Sequence, residues 1–253
     1  MSSNESNSNS KELLMMTGIN KYFGKVHALE DIDFEISEAE NVGLVGDNGA
    51  GKSTLIKIIS GYHRAEKGQI YFKGKKVRIF SPKDSRALGI ETVYQEQALA
   101  PDLSISRNIF MGREPTTTLG FLRKKVMDEE SMEALKSMGL HLRSPNINIS
   151  TLSGGERQGV AIARAFYFEA KLVILDEPTM ALSVKEVREV FNFVNQLKRK
   201  GISVIFITHN LHQVFTISDR IVVLSHGKKL VDIKKKDTNV DELSEIIVRG
   251  TIG

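Results

Sequence analysis

The sequence predicts an α/β fold: a mostly parallel sheet with helices packed on it, interrupted by a helical insertion. Three observations carry this prediction. Short aliphatic runs at residues 42–45, 172–175 and 203–207 have the character of strands buried on both faces. Amphipathic stretches of helical period lie between such runs, the pattern of strands joined by crossover helices. From about residue 102 to 145 the strand signal gives way to charged residues and methionines at helical spacing.

In chain order, residues 1–10 are Ser, Asn and Glu apart from Met1, with nothing to bury, and predict a disordered tail. Strands are expected at 13–19 and 32–36, the second alternating Ile32, Phe34 and Ile36 with Asp33 and Glu35. Residues 42–45 form a third, and 68–72 and 90–94 two more. Val126, Leu135 and Leu140 fit helical turns, and Met127, Met132 and Met138 are expected to pack the core. After Leu152 the alternation resumes with strands at 172–175, 203–207 and 220–224. A helix between the first two should bury Val184, Val187, Val190, Phe191, Val194 and Leu197 on one face. No internal repeat is found. The expectation is a single domain over residues 11–253, with the helical insertion at about 96–160.

Composition narrows the function. Among 253 residues, 41% are hydrophobic, ordinary for a globular chain. No aliphatic run approaches the roughly 18 residues of a membrane span, and no apolar segment follows Met1 as in a secretory signal. These features predict a soluble, cytosolic chain. Absence of cysteine excludes disulfides, thiol catalysis and Cys-ligated metals. The net charge of +4 is mild for a nucleic-acid binder. The densest basic cluster, Lys228-Lys229 with Lys234-Lys235-Lys236, is expected to be a solvated surface flanking a strand.

Three segments carry chemistry. Gly46, Asp47, Asn48, Gly49, Ala50, Gly51, Lys52, Ser53 and Thr54 fit a phosphate-binding loop, placed between an apolar strand and a helix start. Its glycines let backbone N–H groups converge on an anion, and the helix N-terminus adds positive potential. Lys52 supplies a charge for the β- and γ-phosphates, and the Ser53 hydroxyl a ligand for Mg²⁺. The strand at 172–175 ends in Asp176 and Glu177. Ligands of parallel sheets bind at the carboxyl ends of strands, so both acids should face the phosphates, Asp176 toward Mg²⁺ and Glu177 toward the attacking water. Alone, such a pair would be read as a helix cap. In the third segment, Leu152 to Gln158, Ser153 and Glu156 form a capping box opening a helix. The box does not account for Gly154 and Gly155, which cost helix stability unless a ligand or backbone approaches closely.

Together these motifs resemble the ATP-binding cassette ATPases, over about residues 13–253. The resemblance implies a P-loop NTPase (RecA-like) core, an antiparallel β subdomain and an inserted helical subdomain. It implies ATP and Mg²⁺ as cofactors. It also implies that Ser153, Gly154 and Gly155 contact the γ-phosphate of ATP held by a partner cassette. Gln95 looks like the glutamine that links the γ-phosphate and Mg²⁺ to the helical subdomain. His209 looks like the switch histidine. With His212 it could suggest a metal pair, but the spacing lacks the neighbouring Glu and a third ligand. Phe23 resembles the ring that stacks on adenine, although Tyr22 is adjacent and either ring could belong to the core.

The loop at 178–183 ends in Ser183, where many cassettes carry Asp, and Met180 stands where Ala is common. Residues 81–90 and 101–114 look like the monosaccharide-import branch. There the surface after Gln95 receives a short helix of a membrane permease. The expected function is thus the ATPase subunit of a sugar importer at the cytoplasmic face of the membrane. Its partners would be permease subunits, a second cassette and indirectly a substrate-binding protein, with no nucleic acid. With a single phosphate loop, a homodimer or a second ATPase chain is expected, and with a C-terminal helix expected at 240–248 no regulatory domain is expected. The alternatives are an export cassette, a soluble non-transport cassette ATPase, or a nucleotide-binding module without hydrolysis.

Overall fold

The computed structural model describes residues 11–94 and 99–250, so the expected tail and Gln95 lie outside the described residues. Two sheets organise the chain. The first is antiparallel, in the order β2-β1-β4-β5, built from β1 (Glu12–Phe23), β2 (Val26–Ser37), β4 (Lys67–Phe72) and β5 (Lys75–Val77). In β2 the alternation Ile32, Phe34, Ile36 points inward, and Asp31, Asp33 and Glu35 face water.

The second sheet runs β10-β9-β3-β8-β7-β6. Its parallel strands are β3 (Asn41–Val45), β6 (Ile90–Val93), β7 (Leu172–Asp176), β8 (Ser203–Ile207) and β9 (Arg220–Ser225). All five residues of β3 and of β8 are buried, because helices or the first sheet cover both faces. Against one face pack the first sheet and α1 (Lys52–Ile59), through Leu55, Ile56, Ile58 and Ile59. Against the other pack α5 (Gly154–Tyr167) and α6 (Val184–Arg199), with α3 (Ile105–Phe110) and α4 (Lys124–Ser137) beyond them. The short α2 (Pro82–Ala87) precedes β6, and α7 (Leu211–Ile217) and α8 (Val240–Arg249) close the far end.

Several expectations change. The strands at 13–19 and 32–36 are each 12 residues long, extended by a ribbon twist that accommodates register shifts. The strand expected to reach Tyr94 ends at Val93, and the Tyr94 hydroxyl donates to Ser60 Oγ at 2.8 Å. The basic cluster flanks a strand only in part: Lys235 and Lys236 follow β10 (Lys228–Lys234), the antiparallel edge of the second sheet, while Lys228, Lys229 and Lys234 lie within it. Lysines on an edge discourage pairing with another chain. The apolar face of α6 is also rotated: Phe193 is buried and Val184 is 73% exposed, because the helix packs through its later turns. Met127 and Met138 are core residues, as their spacing predicts.

Arg220 ties both sheets together. Its guanidinium donates to Glu40 Oε1 at 2.8 Å, to Asp232 Oδ1 and to the Glu35 carbonyl at 2.7 Å. Burial opposes its charge, but the two carboxylates raise its pKa well above the ordinary arginine value. The three side chains retain 12%, 16% and 21% exposure, so the pair energies are partly screened. Arg220→Met should lower unfolding free energy by about 2–4 kcal/mol, because Glu40 and Asp232 lose their shared cation. Urea denaturation reads this directly. A loss under about 1 kcal/mol would mean that solvent already neutralises the cluster.

Candidate functional site

β3 runs buried to Val45 and must then turn sharply. Gly46 makes the turn at φ 142°, and a Cβ there would lie 2.1 Å from the Leu224 carbonyl oxygen of β9. Gly51, at φ 106°, is hemmed in by β2, where a Cβ would meet Leu29 at 2.7 Å and the Ala28 carbonyl oxygen at 2.9 Å. Between them Asp47, Asn48 and Gly49 are exposed, while Ala50 is buried and its carbonyl accepts from the Gly227 N–H at 3.1 Å. No side chain caps α1, so its first-turn N–H groups remain available to an anion. Lys52 opens that helix, and its ammonium donates to the carbonyls of Gly46 at 2.6 Å and Asp47 at 3.0 Å. The lysine therefore holds the loop in shape from inside.

Asp176 ends β7 beside this loop. Burial raises its pKa, the adjacent Glu177 raises it further, and Lys52 opposes both. Burial also lowers the pKa of Lys52, against the pull of Glu177, Asp176 and Asp47. Each group would gain from an added counter-charge: a cation beside Asp176, an anion beside Lys52. Glu177 occupies left-handed backbone at φ 49°, an uncommon conformation for a long side chain. Its N–H donates to the Ile207 carbonyl of β8 at 2.9 Å. Its Oε1 accepts from the His209 backbone N–H at 3.0 Å and lies 3.1 Å from His209 Nδ1. Its Oε2 is buried and has no hydrogen-bond partner among the described residues.

These groups share a cleft of about 640 Å³, lined by Asn48 to Thr54, Asp176, Glu177 and, from the first sheet, Val26 and His27. The donor set fits a nucleotide triphosphate: a ring of backbone amides, one ammonium, and a wall of small residues. It also fits Mg²⁺, which is satisfied by one hydroxyl and one carboxylate when phosphate and water complete its shell. Phe23, expected at the adenine, is 44% exposed and stands edge-on to His63 at 5.1 Å, outside the cleft lining. Tyr22 stacks on His27, itself part of the lining, at 4.1 Å.

Ser153, Gly154 and Gly155 do not join this cleft. Ser153 caps α5 with the predicted box: its Oγ accepts from Glu156 N–H at 3.2 Å, and Glu156 accepts from Ser153 N–H at 2.8 Å. The two glycines face side chains of α6 and of the loop before it. A Cβ on Gly154 would come within 2.4 Å of Leu182, and one on Gly155 within 2.7 Å of Glu189. Ser183 caps α6 by a second box with Glu186, which explains a small oxygen-bearing residue at that position. Glu186 also accepts from Gly155 N–H at 3.2 Å.

Contacts that the sequence motifs do not indicate fix the loop after Glu177. Gln158 donates to the Pro178 carbonyl at 2.9 Å, and Thr179 donates to Gln213 Oε1 at 2.5 Å. The loop is thus anchored to α5 and to α7. Nothing in the local sequence signals these contacts, since each joins elements distant along the chain.

Known proteins share this outline. The family profile described as ABC transporter matches residues 29–180. The xylose/arabinose import ATP-binding protein XylG of Sulfolobus acidocaldarius is 50% identical over 242 residues, covering 96% of each chain. The ribose import ATP-binding protein RbsA 1 of Streptomyces avermitilis is 41% identical over 97% of this chain but only 46% of its own length. Among solved structures, the dimeric post-hydrolysis state of the cassette MJ0796 bound to ADP and Pi superposes with a TM-score of 0.74. That chain is 25% identical, over 88% of this chain and 99% of its own.

The contacts of Glu186 set a pH signature. The Ser183 backbone N–H, then its hydroxyl and the Gly155 N–H, hold the carboxyl at about 2, below its ordinary 4.5. A depressed pKa contributes stability above the unfolded value that is lost as pH falls through the folded one. The stability gap between wild type and Glu186→Gln should therefore shrink as pH falls from about 6 to about 3, measured by urea denaturation. A gap constant over that range would show that the carboxylate charge is not what matters.

Proposed function

As the chain belongs to the ABC transporter family, we propose that it is the ATPase subunit that energises a membrane permease for monosaccharide import. The observation that carries the chemistry is the junction of Glu177 with His209 beside the phosphate loop. The substrate class is supported by the relatives, whose names specify xylose/arabinose and ribose import. Because the ribose relative is about twice as long as this chain, its whole activity is not carried over.

The Gly46–Thr54 backbone and the start of α1 bind the β- and γ-phosphates, and Lys52 turns from its own loop carbonyls to the phosphate oxygens. Ser53 and Asp176, with Gln95, hold Mg²⁺, which neutralises charge on the phosphates when bound. His209 fixes Oε1 of Glu177 in place, and the carboxylate held there accepts the proton of the attacking water. The attacking oxygen then bonds to the γ-phosphorus as the bond to ADP breaks. Phe23 borders the adenine end.

A second cassette completes the site. Ser153, Gly154 and Gly155 lie outside the cleft of their own chain, so the anion they would meet is the γ-phosphate of a partner, taken in exchange for the Glu186 oxygen that the Gly155 N–H contacts in the single chain. The permease seat is the groove between α2, β6 and the segment after α3, lined by Tyr62, Tyr94, Met111 and Arg113. The cassette is accordingly placed at the cytoplasmic membrane surface. No described helix is long and apolar enough to cross a bilayer. Residues 11–250 act as one nucleotide-binding domain, with the helices between β6 and β7 as its insertion.

Glu177→Gln keeps the shape and the His209 contact but removes the base. ATP binding should survive and turnover should fall by a factor of about 10² or more. Turnover within about tenfold of wild type would remove Glu177 from the role of base. The same protein should sediment as a dimer with ATP and as a monomer without it. A monomer in both conditions would assign the second cassette to another chain. Co-purification of the ATP-loaded variant with an integral membrane permease tests transport itself, and recovery of only ribosomes or nucleic acid would refute it.

A further inference from the structure

Between α3 and α4 the chain forms a small hairpin whose sequence solves no packing problem. Thr116 and Leu122 pair across it, Thr117 N–H donates to the Phe121 carbonyl at 2.8 Å, and Arg123 N–H to the Pro115 carbonyl at 2.9 Å. Gly120 turns the tip at φ 83°. On this ordered scaffold Leu119 is 82% exposed, Phe121 70% and Leu122 47%. Single exposed apolar residues are ordinary on a protein surface, but here three fall within four residues of one tip.

The charges next to the tip provide an independent observation. Arg123 stands at the N-cap of α4 without making a side-chain cap, and Lys124 and Lys125 begin the helix, with no acid in its first turn. The positive end of a helix dipole disfavours cations, and Arg is a poor cap. Helices α5, α6 and α8 each begin the opposite way, with a capping Ser or Asn and an acid in the first turn. From Pro115 to Met127 there is no Asp or Glu. The start of α4 therefore sacrifices local stability and gathers three cations beside three exposed apolar side chains.

We propose that this hairpin and the start of α4 contact an anionic bilayer surface. Leu119, Phe121 and Leu122 enter the boundary between headgroups and acyl chains, and Arg123, Lys124 and Lys125 meet the lipid phosphates. Apolar insertion beside basic residues is the chemistry of interfacial membrane binding, and each half alone is weak. Lys125 reaches Glu129 one turn on at 3.8 Å, and lipid is favoured over a protein partner by the pairing of the remaining cations, Arg123 and Lys124, with apolar groups on a tip too small to form a protein–protein interface. The position suits it, since the segment leaves the rim of the groove lined by Met111 and Arg113. Only this last point rests on the transporter reading.

The test is sedimentation of the full chain with vesicles of phosphatidylglycerol and phosphatidylcholine, against phosphatidylcholine alone. Binding should require the anionic lipid and weaken with salt. Leu119→Ser with Phe121→Ser, and separately Arg123→Asp with Lys124→Glu, should each reduce the partition coefficient by roughly tenfold or more. The charge variant supplies the missing cap and should also raise the melting temperature, while ATPase activity in solution stays unchanged. No binding to anionic vesicles, or binding indifferent to both variants, overturns the proposal. So does a variant that still binds vesicles but no longer co-purifies with the permease, which would assign the tip to a protein partner. If vesicles bind as expected and no permease is recovered, the transport reading falls and the lipid contact stands.

Discussion

The site depends on the register of three parallel strands. Ile207 of β8 pairs with Leu44 of β3 on one side and with Asp176 of β7 on the other. The strands therefore finish level, and their exits converge on one edge of the sheet: Gly46 beyond β3, Glu177 beyond β7, His209 beyond β8. A slip of one residue in β7 would turn Asp176 to the opposite face of the sheet. Continuous burial of β3 and β8 sets the depth at which the strands lie, because every shift would expose an aliphatic side chain on one face or the other. The backbone bond from Glu177 to Ile207 extends that ladder one residue past the strand, and it fixes the acid where its backbone is strained.

Legibility in the sequence depends on how local each constraint is. The phosphate loop and both capping boxes are local: their partners lie within a few residues, so spacing alone identifies Gly46 to Ser53 and the pair Ser153–Glu156. The parallel strands are legible because burial on both faces leaves aliphatic runs. The edge strand β10 is not, since its lysines carry the signature of a solvated edge rather than of a core. The hairpin ends of β1 and β2 are hidden for a related reason: residues 20–23 and 26–28 are half-buried or exposed and leave no alternation to read. The face of α6 departs from expectation at Val184 because period alone does not say where along a helix the packing starts.

Gly154 and Gly155 show the limit of reading a motif for one purpose. Their chemistry as an anion-facing turn is apparent in the sequence, yet within the chain they also make room for Leu182 and for Glu186 and Glu189 of α6, whose side chains would have to move for a Cβ. Both demands act on the same two residues. The same holds for Ser183, whose hydroxyl starts a helix in this chain whatever it contacts in an assembly.

The loop after Glu177 has one further consequence. It is bonded to α5 through Gln158 and to α7 through Thr179 and Gln213, while Glu186 joins its Ser183 end to the start of α5. A loop held at both ends cannot absorb a shift of α5 privately. A ligand that biases the start of α5 toward one position is therefore coupled to the position of Glu177, and thermodynamic linkage makes that coupling mutual. Two cleft sites joined in this way would read each other's occupancy through a few hydrogen bonds rather than through a change of fold.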